Sequence, residues 1–279
     1  MTVSVINPST AKSVPYSGDG TLIDVLTYLG LTTDLVLALD AGDSNSYPGS
    51  GTKWFDVSGN GHNFDLMGSP GPAFNGTAGN VSLNEYWLFD RNGYFKSDET
   101  SIAEVTAMHK AGGQFSAIAG VNMANAGTYQ SICGTCAGDA NPKPGILWQH
   151  DYAGGNQRLL VNVDNDTTTQ VSKYSTTGID TGMPIMIGLS YDGTTGDGLH
   201  WYNGSTVTPF NDTNSAPSTS DPGGAFHVAA RPASSGASGK LYTNSKMYFF
   251  ALWSTRQVDG VNFGQIFSML ANVGRDFSV

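Results

Sequence analysis

Residues 35–64, LVLALDAGDSNSYPGSGTKWFDVSGNGHNF, decide how the rest of the chain is read. The stretch opens with an unbroken apolar run, Leu35 to Leu39, which suits a strand buried on both faces. A loop rich in Gly, Ser, Asn and Pro follows and carries Trp54 and Phe55. The chain then turns at Asp56-Val57-Ser58-Gly59-Asn60-Gly61. The glycines permit positive φ, and Asp56, Ser58 and Asn60 have side chains that hydrogen-bond the backbone of a tight turn. A buried strand, a long polar loop and an Asx-rich turn before the next strand together predict a large antiparallel sandwich.

The remaining segments extend this pattern outward. Upstream, residues 20–30 (GTLIDVLTYLG) predict a short helix, with Thr21 as its cap, Leu22, Val25, Leu26 and Leu29 on one face and Gly30 as its stop. Such a helix either closes the sandwich or belongs to an arm, residues 1–33, that orders against a partner. In that second reading Val3, Val5, Val14 and Tyr16 are the anchoring side chains, and the sandwich domain runs from 34 to 279.

Downstream, Glu85–Asp90 and Tyr94–Lys96 flank Arg91-Asn92-Gly93, an Asn-Gly hairpin signal. Residues 101–110 suit a helical turn. Phe115, Ala117, Ala119 and Val121 alternate on one face of a strand. Short strands are expected at 146–150, 159–163 and 171–174, followed by a pair at 184–191 and 199–203. In the segment 247–253, Met247, Phe249, Ala251 and Trp253 are expected on one face, with Tyr248, Phe250 and Leu252 on the other. A final helix is expected within 258–273, from the spacing of Val261, Ile266, Phe267 and Leu270, with Gly274 as its stop.

Three stretches carry a resemblance. Residues 35–64, IGLSYDGTTGDGLHWYNGSTV from Ile187 and FHVAARPASSGASGKLYTNSKMYFFALWSTRQV from Phe226 are similar to the opening, central hairpin and closing unit of concanavalin A-like, laminin-G-like jelly rolls found in bacteriophage virion proteins. The likeness spans residues 34 to about 275 and rests on the order of patterns rather than on an invariant motif. It implies an all-β antiparallel sandwich, a jelly roll with a short N-terminal arm and helix and a C-terminal helix. The function it implies is a non-enzymatic virion structural protein, shown on the particle surface as a capsid decoration or head-fibre protein. Capsid or other virion proteins are then the expected partners, in a homo-oligomer or in many copies. The arm is short where a tail fibre would carry a long shaft, which favours the head. A lectin-like carbohydrate-binding module, a tail receptor-binding protein and a glycanase are the competing readings, and such sandwiches host unrelated activities.

Composition agrees with a globular β protein. The 279 residues include 36 Gly and 12 Tyr, and only 13% are charged. A net charge of -10 argues against a nucleic-acid backbone as partner. The apolar runs are too short for membrane insertion. The first twenty residues lack the basic start and apolar stretch of a secretory signal, so synthesis in the host cytoplasm and release on the virion is the expected route.

Few residues invite chemistry. Glycoside hydrolysis needs two carboxyl groups at fixed separation, and Glu85, Glu99 and Glu104 are the only glutamates. Glu99 and Glu104 are five apart, an odd spacing that would put them on opposite faces of a strand. Cys133-Gly134-Thr135-Cys136 lacks the further ligands of a closed zinc site, leaving a loop disulfide or two packed thiols. No cofactor is expected. Calcium is weighed at Asp164-Asn165-Asp166 and at Asp40 and Asp43, against the plainer reading of polar turns. A glycan site needs an aromatic platform flanked by amide or carboxylate groups. The segment around Trp148, His150, Asp151 and Tyr152 has that composition, as does Tyr47 with Trp54. Core packing is the default for both tryptophans, so Tyr152 is the better surface candidate.

Overall fold

The structure, a computed structural model, describes residues 18–125, 127–136, 144–152, 157–164, 170–176, 178–179, 182–203, 206–213, 217–233 and 236–278. In chain order its elements begin with α1 (Leu22–Tyr28), β1 (Leu35–Asp40), β2 (Lys53–Trp54), β3 (Phe64–Met67), β4 (Ala73–Asn75), β5 (Tyr86–Leu88) and β6 (Tyr94–Ser97). Next come α2 (Ala103–Ala107), β7 (Gln114–Asn122), β8 (Gln130–Gly134), β9 (Gly145–Asp151), β10 (Arg158–Asp164) and β11 (Gln170–Tyr174). The chain continues through β12 (Ile185–Asp192), β13 (Asp197–Tyr202), β14 (Thr206–Asn211), β15 (His227–Val228) and β16 (Arg231–Ala233). It ends with β17 (Gly236–Ser238), β18 (Lys246–Trp253) and α3 (Gly260–Asn272).

Two eight-stranded antiparallel sheets face each other, which is the all-β sandwich expected. Sheet A runs β14-β13-β12-β7-β18-β5-β4, with β1 also paired to β18, and sheet B runs β11-β10-β9-β8-β15-β6-β3-β2. Their inner faces enclose one core, which includes Leu37, Trp54, Trp87, Phe95, Phe115, Val121, Trp148, Val161, Ile187, Phe250 and Leu252. A second core lies on the outer face of sheet A, where Ile118, Trp201, Phe249, Ala251 and Trp253 meet Leu22, Val25 and Leu26 of α1 and Phe263, Ile266 and Leu270 of α3. The molecule therefore has three layers: helices, sheet A and sheet B. Sheet A is covered on both faces, which explains why β1, β7, β12 and β18 are nearly continuous apolar runs.

Small residues let the outer aromatics lie flat on sheet A. A Cβ on Gly120 would sit 2.5 Å from the ring of Phe249, and one on Gly188 would sit 2.6 Å from Phe263. α1 starts at Thr21, whose hydroxyl accepts from the Asp24 amide at 3.3 Å. Of the two readings of this helix, packing against the sandwich is the one observed. Val3, Val5, Val14 and Tyr16 lie outside the described residues.

The 56–61 turn does more than reverse the chain. One edge of β1 pairs with β18, and side chains from the turn satisfy the other. Asp56 accepts from the Ala38 amide at 2.9 Å, while the Asn60 amide donates to the carbonyls of Leu35 and Val36 at 2.7 and 2.8 Å. The same carboxylate accepts from the amides of Ser58, Gly61 and His62. An open strand edge is thereby closed by an Asx-rich loop instead of another strand.

Three expectations need correction. Arg91-Asn92-Gly93 does not close a hairpin: β5 belongs to sheet A and β6 to sheet B, so the turn carries the chain between layers. Asp90 closes it locally by accepting from the amides of Asn92 and Gly93. In β18 a register shift against β7 between Met247 and Phe249 breaks the alternation. Met247 therefore faces the inner core, while Tyr248 and Phe249 both join the outer one. In α3 the buried face is Phe263, Ile266 and Leu270, and Val261 is exposed. Asp259 caps that helix by accepting from the amides of Val261 and Asn262, which sets its phase.

A buried ion pair ties the two ends of the described chain to β1. Asp40, the last residue of β1, receives both terminal nitrogens of Arg275, at 3.0 and 2.5 Å, and both side chains have zero exposure. Its carboxylate also accepts from the amides of Leu22 and Gly42, at 2.8 and 2.9 Å.

Candidate functional site

With sheet A covered on both sides, the outer face of sheet B is where β strands can present side chains to a ligand. Alternation along β9, β10 and β11 sends Trp148, Leu159, Val161, Val163 and Val171 into the core. The intervening Gln149, Asp151, Leu160, Asn162, Ser172 and Tyr174 form the floor of an open groove of about 680 Å³. Pairing fixes their order. Leu160 lies between Gln149 and Tyr174, and Asn162 lies beside Ser172.

The walls come from elsewhere in the chain. Arg91, Thr128 and Tyr129 line the groove, together with Arg231 and the 237–242 segment after β16. That segment is held by β8: the Ser131 amide donates to the Gly239 carbonyl at 2.6 Å. Gln130, fully buried, accepts from the Tyr242 amide at 3.0 Å and from the Ser245 hydroxyl at 2.9 Å, and its own amide donates to the Ala124 carbonyl. Gln130 thus positions Tyr242 without reaching the groove itself.

Aromatic and cationic groups alternate around the opening. Arg91 stacks over Tyr242 at 4.4 Å and Arg158 over Tyr174 at 4.5 Å. Tyr129 is the most exposed large aromatic among the described residues, at 54%. Burial raises the Tyr174 hydroxyl above its ordinary pKa, and its hydrogen bond to Asp151 adds to the shift. Asn162 contributes an amide whose carbonyl oxygen has no hydrogen-bond partner among the described residues.

Of the four glycan-contact candidates, the structure brings Asp151 alone to this groove. Trp148 is 1% exposed within the inner core. His150 is 0% exposed and sits beside Gln130, and burial pushes its pKa down to about 4. Both are corrections with one cause: in a strand, neighbours of an outward residue point inward. Tyr152 is on the surface past the end of β9, outside the lining. Tyr47 and Trp54 are likewise interior, each packed on Trp87, at 4.5 and 5.8 Å between ring centroids. Tyr129, Tyr174 and Tyr242 are the aromatics that sequence reading missed. Alternation in 158–164 and 170–174 marks which residues share a face, but only strand register joins them to residues 129 and 242.

The other candidates are structural. Glu85 is buried and bonds Ser82 and the Thr77 amide, Glu99 pairs with His62 at 2.5 Å, and Glu104 lies in α2. Cys133 and Cys136 are both buried and not joined in a disulfide, and burial raises the Cys133 thiol pKa. Asp40 serves the ion pair, and Asp43 accepts from the Asn45 amide. Residues 165–169 and the Asp164 side chain lie outside the described residues. Among the described residues, no group of three His, Cys, Asp or Glu could hold a metal ion.

No protein-family model matches the chain, and no curated protein sequence matches it. Solved structures do share its fold. The binding domain of botulinum neurotoxin DC in complex with SialylT has a TM-score of 0.59 at 11% identity, over 86% of this chain and 52% of that one. Domain 4 of AbnA, a GH43 extracellular arabinanase from Geobacillus stearothermophilus, in complex with arabinotriose, scores 0.54 at 13% identity, over 84% and 98%. A Trypanosoma rangeli sialidase mutant displaying trans-sialidase activity scores 0.52 at 13% identity, over 88% and 34%. The chain thus spans about half the length of the neurotoxin binding domain and nearly all of the arabinanase domain, and at these identities the likeness is one of fold: an antiparallel β-sandwich.

Proposed function

We propose that this chain is a non-enzymatic, glycan-binding β-sandwich displayed on a bacteriophage particle as a capsid decoration or head-fibre protein, with the sheet B groove as its binding surface. The observation that carries the glycan reading is the lining itself. Tyr129 offers an exposed ring face to the apolar side of a sugar, Tyr174 and Tyr242, each with a guanidinium over one face, line the groove beside it, and Gln149, Asn162 and Asp151 offer partners for its hydroxyls. Two of the similar structures are complexes, one with SialylT and one with arabinotriose, which supports the same reading. The phage assignment rests on the resemblance of residues 35–64, 187–207 and 226–258 to virion jelly rolls.

A glycan array tests the binding role. We expect hits for the wild-type protein and a loss of about 3- to 10-fold in affinity for Tyr129→Ala, the range expected for one aromatic contact. An array without hits, with and without calcium, would refute it, as would binding untouched by both Tyr129→Ala and Tyr174→Ala. Release of reducing sugar from a bound polysaccharide would overturn the non-enzymatic reading. Absence of the protein from mass spectra of intact particles would overturn the virion role.

A further inference from the structure

We infer that the groove takes an acidic oligosaccharide, whose carboxylate or sulfate is held between Arg91, Arg231 and Lys240. The inference rests on the groove being the glycan site and names the class of sugar it selects. Its starting point is charge. The chain carries -10 overall, yet among the described residues three cations line this groove against one carboxylate, Asp151. That carboxylate is already engaged by the Tyr174 hydroxyl, and it faces Arg158 in the β9–β10 register.

Two of these cations, Arg91 and Lys240, are held differently from most others in the molecule, a mode shared away from the groove by Lys246 over Tyr86. Lys53, Lys110, Lys173 and Arg275 are each neutralised by aspartate within 4 Å. Around the groove Arg91 lies over Tyr242, Arg158 over Tyr174 and Lys240 over Tyr94 at 5.2 Å, while Arg231 donates its Nε–H to the Ser238 hydroxyl at 3.2 Å. A ring face orients a cation without cancelling its charge, so the N–H donors remain available to an oxyanion. Arg91 and Lys240 make no ion pair among the described residues.

Backbone conformation adds an independent indication. Arg91 has φ +79°, a left-handed conformation that disfavours a residue with a Cβ. Glycine or asparagine would fit that position of the turn with less strain. Strain kept at a residue whose long side chain reaches a groove points to a use for the side chain.

Titration calorimetry with three probes tests the inference: oligogalacturonate, its fully methyl-esterified form, and a κ-carrageenan oligosaccharide, which carries sulfate and no carboxylate. The two charged probes distinguish carboxylate from sulfate, and the ester keeps the backbone while removing the charge. We expect at least one charged probe to bind about tenfold or more tighter than the ester. Its affinity should fall several-fold between about 20 mM and about 300 mM NaCl. Lys240→Gln and Arg91→Gly should each weaken the charged probe about three- to fivefold. Arg91→Gly should leave the thermal midpoint nearly unchanged, because relief of the left-handed strain offsets the lost stacking. Ester bound as tightly as acid would overturn the inference while leaving the glycan groove intact. Failure to bind either charged probe would also overturn it, and only a blank neutral-sugar array besides would remove the groove reading. Equal affinity for oligo(dT) would mark the site as a general anion surface and overturn it too.

Discussion

Replacing Asp40 with alanine removes the acceptor on which three buried donors converge. The Arg275 guanidinium loses both of its bonds, and the amides of Leu22 and Gly42 lose theirs. Breaking a buried pair from one side typically costs about 3–5 kcal/mol, because an uncompensated charge is left inside. Each stranded buried amide adds about 1–3 kcal/mol if water cannot reach it. These contributions overlap, since the cavity left by the carboxylate can admit water, so about 4–6 kcal/mol is the expected loss. That is a large share of the roughly 5–15 kcal/mol by which domains are stable. Urea unfolding of wild type, Asp40→Ala, Arg275→Met and the double variant Asp40→Ala/Arg275→Met measures it. The double variant should lose clearly less than the sum of the two single losses, because no lone charge remains. An Asp40→Ala midpoint equivalent to a loss below about 1 kcal/mol, or strictly additive singles, would refute the assignment of this pair as the tie between α1, β1 and the C-terminal segment.

Asp56→Ala should cost about 2–4 kcal/mol by the same measurement, because four backbone amides, including Ala38 in β1, lose one shared acceptor; a loss no larger than that of an exposed aspartate elsewhere would count against the strand-edge role. Acid should destabilise the fold. Burial holds His150, His200 and His227 near pKa 4, below the ordinary 6.5, so the unfolded chain takes up protons first as pH falls. The neutral-histidine stability is complete above pH 6.5 and lost between there and about 4, amounting to about 2 kcal/mol per histidine by pH 5. A urea midpoint unchanged between about pH 7.5 and pH 5 would contradict this. Two glycines should respond with opposite signs in thermal unfolding. Gly120→Ala drives a Cβ into the Phe249 ring and should cost about 1–3 kcal/mol, whereas Gly264→Ala, with open space inside α3, should add about 0.5–1 kcal/mol.

Local chemistry made much of this molecule legible before folding was considered. The apolar run at 35–39 announced a strand covered on both faces, because nothing but burial tolerates such a run, and the alternation at 115–121 announced a strand with at least one buried face. Thr21 with its following leucines announced a helix, since capping and 3.6-residue periodicity act over a few residues. What local chemistry could not supply was the partner of each surface. The Arg91-Asn92-Gly93 turn looks the same whether it joins two strands of one sheet or carries the chain across, and a single-residue slip near Met247 reverses which core a side chain enters.

The groove shows the same division. Residues 146–150, 159–163 and 171–174 are recognisable as strands from their composition, and their side chains must alternate because the pleat imposes a period of two on any strand. Long-range packing settled that Trp148 and His150 face the core while Gln149 and Asp151, themselves largely buried, line the floor of the groove on the other side. It also decided that Arg91, Tyr129, Tyr174 and Tyr242, drawn from four distant parts of the chain, share one opening. The physical reason is that a groove on a sheet is made by register and by what crosses over it, and both are set by long-range pairing that no short stretch encodes.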